Sequence, residues 1–195
     1  MARASLIIAC GALARELNWL KSANQWTEVE IQCLDAALHN RPELIPERLS
    51  GLLEPAVDKY DHIFVAYADC GTGGQLFAKC DELGVDYIAG PHCYSFFETN
   101  AVFEAHGEVT AFYLTDFLAR QFDAFVWKPL GLDRHPDLLS MYFGNYEKLV
   151  YLAQTDDPAL TAKAADCATR MGLAFERRFT GYGDLATAIA KAAAD

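Results

Sequence analysis

The stretch Ile63-Phe64-Val65-Ala66-Tyr67-Ala68-Asp69-Cys70-Gly71-Thr72-Gly73-Gly74 decides how this chain folds. Five consecutive apolar residues, Ile63 to Tyr67, have the length of a strand buried on both faces, and small residues turn the chain soon after. Apolar positions then recur at helical spacing through Leu76, Phe77, Cys80 and Leu83, with Gly84 placed to cap the helix. A strand, a glycine-rich turn and a helix make half of a βαβ unit.

The same switch of period recurs on both sides. Ser5 to Ala9 reads as a short buried strand, and Leu13, Leu17 and Leu20 follow at helical spacing, so Cys10 and Gly11 occupy a strand-to-helix turn. Val29 to Leu34 is a second strand, followed by the turn His39 to Pro42 and a helical stretch broken by Pro46 and Pro55. Val85 to Ala89 is a fourth strand, ending at Gly90 and Pro91, with His92 and Cys93 opening the next helix. Val109 to Leu114, Lys148 to Ala153 and Leu173 to Phe179 complete seven strands. A helix from Pro158 to the stop at Gly172 carries Leu160, Ala164, Cys167, Ala168 and Met171 on one stripe, and an Ala-rich helix closes the chain from Asp184. This alternation predicts an α/β fold: an open three-layer, mostly parallel sheet with crossover helices, Rossmann-like, in a single domain over residues 1–195.

Composition excludes several classes of function. The chain has 195 residues, 52% of them hydrophobic and 22% charged, enough for a packed core without disulfides. Sixteen basic against 27 acidic residues leave a net charge of −11, which repels phosphate backbones and anionic lipid, so neither nucleic acid nor membrane is an expected partner. No apolar run approaches the ~20 residues that cross a bilayer. One early Arg3 precedes a short apolar stretch interrupted by Arg15 and Glu16, which lacks the apolar core of a secretory signal. A cytoplasmic location is therefore expected, where the six cysteines stay reduced.

Three of those cysteines, Cys10, Cys70 and Cys93, each follow a strand, and parallel strands present their carboxyl ends along one edge, where ligands bind. Three converging thiolates suit a four-iron cluster with one open iron, or a zinc ion with an exchangeable fourth ligand. Without a close cysteine pair, the spacing favours the cluster. The competing reading is that each is a buried thiol serving the core, and that reading is adopted for Cys33, Cys80 and Cys167. Gly71, Gly73 and Gly74 resemble an anion-cradling nest at a helix start, although the Lys-Ser/Thr of a P-loop is missing; they equally suit a turn or a close backbone approach to a metal. His39 is a candidate substrate contact and His92 a candidate proton donor, the two assigned as catalytic groups. Arg134 and His135 read as a solvated loop, and Asp116 as a helix cap. No G-x-S-x-G elbow, kinase, zinc-protease or calcium-loop pattern occurs.

Cys10-Gly11 after a strand, His39-Asn40-Arg41-Pro42, Ala68-Asp69-Cys70-Gly71 and Gly90-Pro91-His92-Cys93-Tyr94 together resemble the bacterial and archaeal family named domain of unknown function 1638. The runs Tyr113 to Phe117, Gly131 to Pro136 and Tyr142 to Tyr146 extend the resemblance over nearly the whole chain. Ala68-Asp69 before the second cysteine, where many relatives have a hydrophobic residue and glycine, and Pro91-His92 before the third, where they have an acidic pair, mark a subgroup. Family members are often encoded beside corrinoid-dependent methyltransferase components, so the resemblance implies corrinoid-dependent methyl transfer or methylamine-type one-carbon metabolism. Two functional classes follow. One is a metal or iron–sulfur protein working through Cys10, Cys70 and Cys93. The other is a non-enzymatic accessory or chaperone that binds a corrinoid protein or methyltransferase through the acidic surface and the aromatic run from Tyr142 to Tyr151.

Overall fold

The computed structural model describes residues 5–194, so Arg3 lies outside the described residues. The chain forms two compact α/β units, the first built from the segment up to Phe96 together with the segment from Tyr182, the second from Phe97–Gly181. All seven expected strands are present and all pair in parallel, but they are divided between two sheets instead of filling one. Local periodicity identifies a strand without naming its neighbours, so this division lay outside what the pattern of apolar residues encodes.

In the first unit the strand order is β2-β1-β3-β4, from β1 (Ser5–Cys10), β2 (Val29–Leu34), β3 (His62–Ala66) and β4 (Asp86–Tyr87). All six residues of β1 are buried, which accounts for its unbroken apolar run at the sheet centre. Register aligns Ala9 with Cys33 on one side and Ala66 on the other. Helices α1 (Ala14–Ala23), α2 (Ile45–Leu53) and α3 (Gln75–Leu83) bury Leu17 and Leu20, Ile45, Leu49 and Leu53, and Leu76 and Cys80. Edge strand β2 is different: Cys33, expected in the core, is exposed, because an edge strand has only one neighbour to cover it.

The chain leaves the first unit within α4 (Ser95–Glu98) and continues through α5 (Asn100–His106). The second sheet has the order β5-β6-β7, from β5 (Ala111–Thr115), β6 (Lys148–Ala153) and β7 (Ala174–Phe179). Between β5 and β6 lie α6 (Asp116–Phe122), a π-helical turn over Asp123–Trp127 and α7 (Leu138–Phe143). The connection from β6 to β7 is α8 (Pro158–Met171), whose five expected core positions are all buried. Asp157 caps it by accepting from the N–H groups of Ala159 (2.9 Å) and Leu160 (3.1 Å), and Gly172 ends it at φ +71°. The final helix, α9 (Gly183–Ala192), belongs to the first unit and packs on β3 through a face that includes Leu185 and Ile189. Among the described residues no helix is long and apolar enough to cross a membrane.

Candidate thiolate centre at the carboxyl edge of the first sheet

Because β1, β3 and β4 run parallel, the residues that leave their carboxyl ends share one edge. Cys10 is the last residue of β1 and fully buried. The next residue has to be small: a Cβ on Gly11 would lie 2.6 Å from the Leu34 carbonyl oxygen and 2.9 Å from the Ala36 nitrogen. That close approach brings in the 3-10 turn Ala36–Asn40, capped by Asp35, which accepts from the Ala37 N–H at 2.8 Å. The turn carries His39, whose Nδ1 lies 3.8 Å from Cys10 Sγ.

The loops after β3 and β4 are joined by their backbones. Asp69 N–H donates to the Gly90 carbonyl at 2.9 Å and Cys70 N–H to the Pro91 carbonyl at 3.0 Å. This pairing sets Cys70 Sγ 3.4 Å from Cys93 Sγ, and Cys93 also accepts from Ala68 N–H at 3.5 Å. Cys70 holds φ +46°, a left-handed conformation that side chains other than glycine rarely adopt and that tends to persist where the surroundings impose it. The glycines behind it shape the same loop. Gly71, Gly73 and Gly74 all have positive φ, and Gly71 lies over Pro42. The N–H groups of Gly74 (2.6 Å) and Gly73 (3.3 Å) donate to the Asp69 carboxylate, and so does the Thr72 hydroxyl (2.8 Å). The nest is thus filled by a carboxylate of its own chain.

Electrostatics separate these thiols from the others. Cys10 is held well below the ordinary thiol value against the cost of burial, chiefly by the neighbouring Cys93 thiol, with His39 adding to the effect. Cys70 is lowered chiefly by the same thiol, 3.4 Å away. Cys93, facing both of these thiols and buried, is raised well above the ordinary range and keeps its proton. His39 is raised, first by its hydrogen bond to Cys10, so each group of this contact favours the charged form of the other. Burial instead pushes Cys80 and Cys167 up to about 11, as inert core thiols require. Tyr67 was legible only as a strand residue. Among the described residues its buried hydroxyl has no hydrogen-bond partner, and burial together with the field of all three sulfurs raises it.

His92 lies beside the cluster but is oriented differently. Its ring stacks on Tyr94 with centroids 4.9 Å apart, and burial lowers it, which leaves it neutral. Arg134 and His135 are exposed, as expected of their loop. Asp116 is fully buried instead of being a surface cap. It accepts from the hydroxyls of Tyr151 and Thr155, each at 2.6 Å, and from Gln154 N–H at 3.1 Å. A carboxylate directly after an apolar strand was the available signal for this cluster. Among the described residues, no group of three or more histidine, cysteine, aspartate or glutamate side chains is arranged to hold a metal ion. The sulfurs of Cys70 and Cys93 are in contact, and their neighbours share the protons that a metal would have to displace.

Residues 33–189 match the family model described as Protein of unknown function (DUF1638). No curated protein and no solved structure matches the chain.

Proposed function

The chain belongs to the DUF1638 family, and we propose that Cys10, Cys70 and Cys93, with His39 beside them, form a thiolate centre that binds a soft metal ion in exchange for thiol protons. The observation that carries this reading is the 3.4 Å contact between Cys70 and Cys93, made by two loops whose backbones are joined, at the same sheet edge where Cys10 ends β1 against His39. A tetrahedral zinc ion with sulfurs at about 2.3 Å keeps them roughly 3.8 Å from one another, so the pair needs to open by only a few tenths of an ångström. A cubane cluster seats each thiolate on a different iron and spreads the sulfurs well beyond contact. Contact spacing therefore favours a single ion over the iron–sulfur cluster that loop spacing alone suggested. Such an ion supplies Lewis-acid activation of a bound thiol or water. Around it, His39 lies 3.8 Å from Cys10, and Tyr67 presents a buried hydroxyl.

The setting proposed for this centre is corrinoid-dependent methyl transfer or methylamine-type one-carbon metabolism, which rests on the family resemblance. All six cysteines are free thiols, the state that a reducing cytoplasm maintains, and we place the protein there. The accessory-module reading loses support, because Phe143 and Tyr151 of its aromatic run are buried in the core of the second unit. Metal analysis and absorption spectra of anaerobically purified protein test the proposal. The expected result is about one zinc-type ion per chain, lost in Cys70→Ala and Cys93→Ala and kept in Cys80→Ala. Protein that takes up no metal, or loses it equally in all three variants, would overturn the reading. A visible charge-transfer band with matching iron and sulfide would restore the cluster.

A further inference from the structure

The chain is strongly acidic, yet one concavity in the second unit reverses that balance. It lies among α6, the π-helical turn and α8, has a volume of about 160 Å³, and is lined by four of the sixteen basic residues, Arg120, Lys128, Lys163 and Arg170, against two acids, Asp123 and Asp166. Three of the cations are held in place. Arg120 reaches back to the buried Asp116 carboxylate at 3.3 Å. Lys163 donates to the Arg120 carbonyl at 2.7 Å, and Arg170 to Asp123 at 2.8 Å. The Arg170 guanidinium also lies over the Trp127 ring at 4.4 Å and over Phe122 at 5.3 Å. A cation pinned in this way loses little freedom when a ligand arrives. Neither Lys128 nor Lys163 is paired with an acid among the described residues. The wall between α6 and Lys128 is a π-helical turn, a rare backbone form that recurs at functional sites.

We propose that this cavity binds a small phosphate-type oxyanion, either the free ion or the phosphate group of a small ester. Arg120 and Arg170 are paired with Asp116 and Asp123, which leaves Lys128 and Lys163 against Asp166 alone, an excess of positive charge that attracts an anion and not a metal cation. Lys128 and Lys163 act as point charges on the oxyanion, while the Arg170 guanidinium, held by Asp123 and Trp127, adds positive charge at the wall.

The test is a titration of the full chain with inorganic phosphate and, in parallel, with phenyl phosphate, followed by the NMR signal of the Trp127 indole, which lies under Arg170. Potassium chloride at matched ionic strength is the control. The expected result is a saturable shift of the Trp127 signal, with the indoles of Trp19 and Trp26 unmoved, and affinity reduced at least tenfold in Lys128→Gln/Lys163→Gln. Those lysines are exposed, so the variant keeps its fold. Tighter binding of phenyl phosphate assigns an ester as ligand, and tighter binding of the inorganic ion assigns the free anion. A shift that never saturates, that chloride reproduces, or that is unchanged in the double variant overturns the proposal.

Discussion

A single carboxylate, Asp69, organises the loop that presents Cys70. It accepts from two glycine N–H groups and from the Thr72 hydroxyl; burial opposes its charge, but these donors outweigh that cost and hold its carboxyl below the ordinary value. Replacing it by alanine leaves the Gly73 and Gly74 donors without their anion, so Asp69→Ala should lower stability by about 1–2 kcal/mol in urea unfolding. Gly11 is constrained by space alone. A methyl group there meets backbone atoms of Leu34 and Ala36 that cannot rotate away, and Gly11→Ala should cost about 1–3 kcal/mol by the same measurement. The signal for Gly11 and the three clustered cysteines was in the sequence, because residues after parallel strands must share an edge. The part played by Tyr67 was hidden, since a tyrosine in an apolar run has an ordinary explanation, and the signal for Asp116, an acid directly after an apolar strand, is the same one that a helix cap gives.

At the scale of elements, six strands of five or six residues and the long helices were readable because each carries enough residues to show its period, and α8 also carries both of its caps. The two-residue β4 was placed by the apolar run around it. The short α5 and α7 and the π-helical turn, with seven, six and five residues, span too few turns to show one. Ion pairing that links β6 and β7 to Glu98 of α4 and to Glu108 ahead of β5 was equally unreadable, since it depends on tertiary packing. Arg178 of β7 reaches Glu98 at 3.0 Å, Glu108 at 2.7 Å and Glu176 at 2.7 Å, while Lys148 of β6 reaches Glu108 and Glu176, both at 2.6 Å. Burial alone would raise the Glu108 carboxyl, but hydrogen bonds from Arg178, Lys148 and Tyr113 bring it from 4.5 to about 2. A carboxyl lowered by folding stabilises the native state above its ordinary value, and that contribution is lost as pH falls towards the folded value. The second unit should therefore lose stability between about pH 4.5 and pH 2. Arg178→Met takes the guanidinium from the little-exposed Glu98 and leaves Glu108 with Lys148 and Tyr113 alone, so it should cost about 1–3 kcal/mol at neutral pH. Glu108 is held low in part by Arg178, so the gap between variant and wild type should narrow on acidification towards the folded value of Glu108. A gap independent of pH in thermal unfolding would show that packing, not charge, is what Arg178 supplies.

At the scale of the whole molecule, the fold class was legible and the division into two units was not, because it depends on which strands pair and on where the last helix returns. The first unit is discontinuous: α9 comes from the end of the chain, covers β3 with Leu185 and Ile189, and its Ala192 carbonyl lies 3.0 Å from His62 Nδ1. The second unit is one continuous segment with its own buried cluster, from Leu114 and Phe122 through Leu149 and Tyr151 to Met171. Ending the chain at Gly181 should therefore affect the units unequally. Removing α9 exposes the apolar face of β3 and takes away two fully packed side chains, each worth about 1.5–3 kcal/mol, which together make a large part of the stability of a domain this size. The sheet that positions Cys10, Cys70 and Cys93 should lose its cooperative structure, and bound metal with it, while the second unit stays folded. Hydrogen exchange read by peptide mass spectrometry distinguishes the outcomes. Amides of β1 and β3 should exchange at unfolded rates in the truncated chain, and those of β6 and α8 should keep their protection. Equal loss of protection in both segments would mean that the chain folds as one cooperative whole.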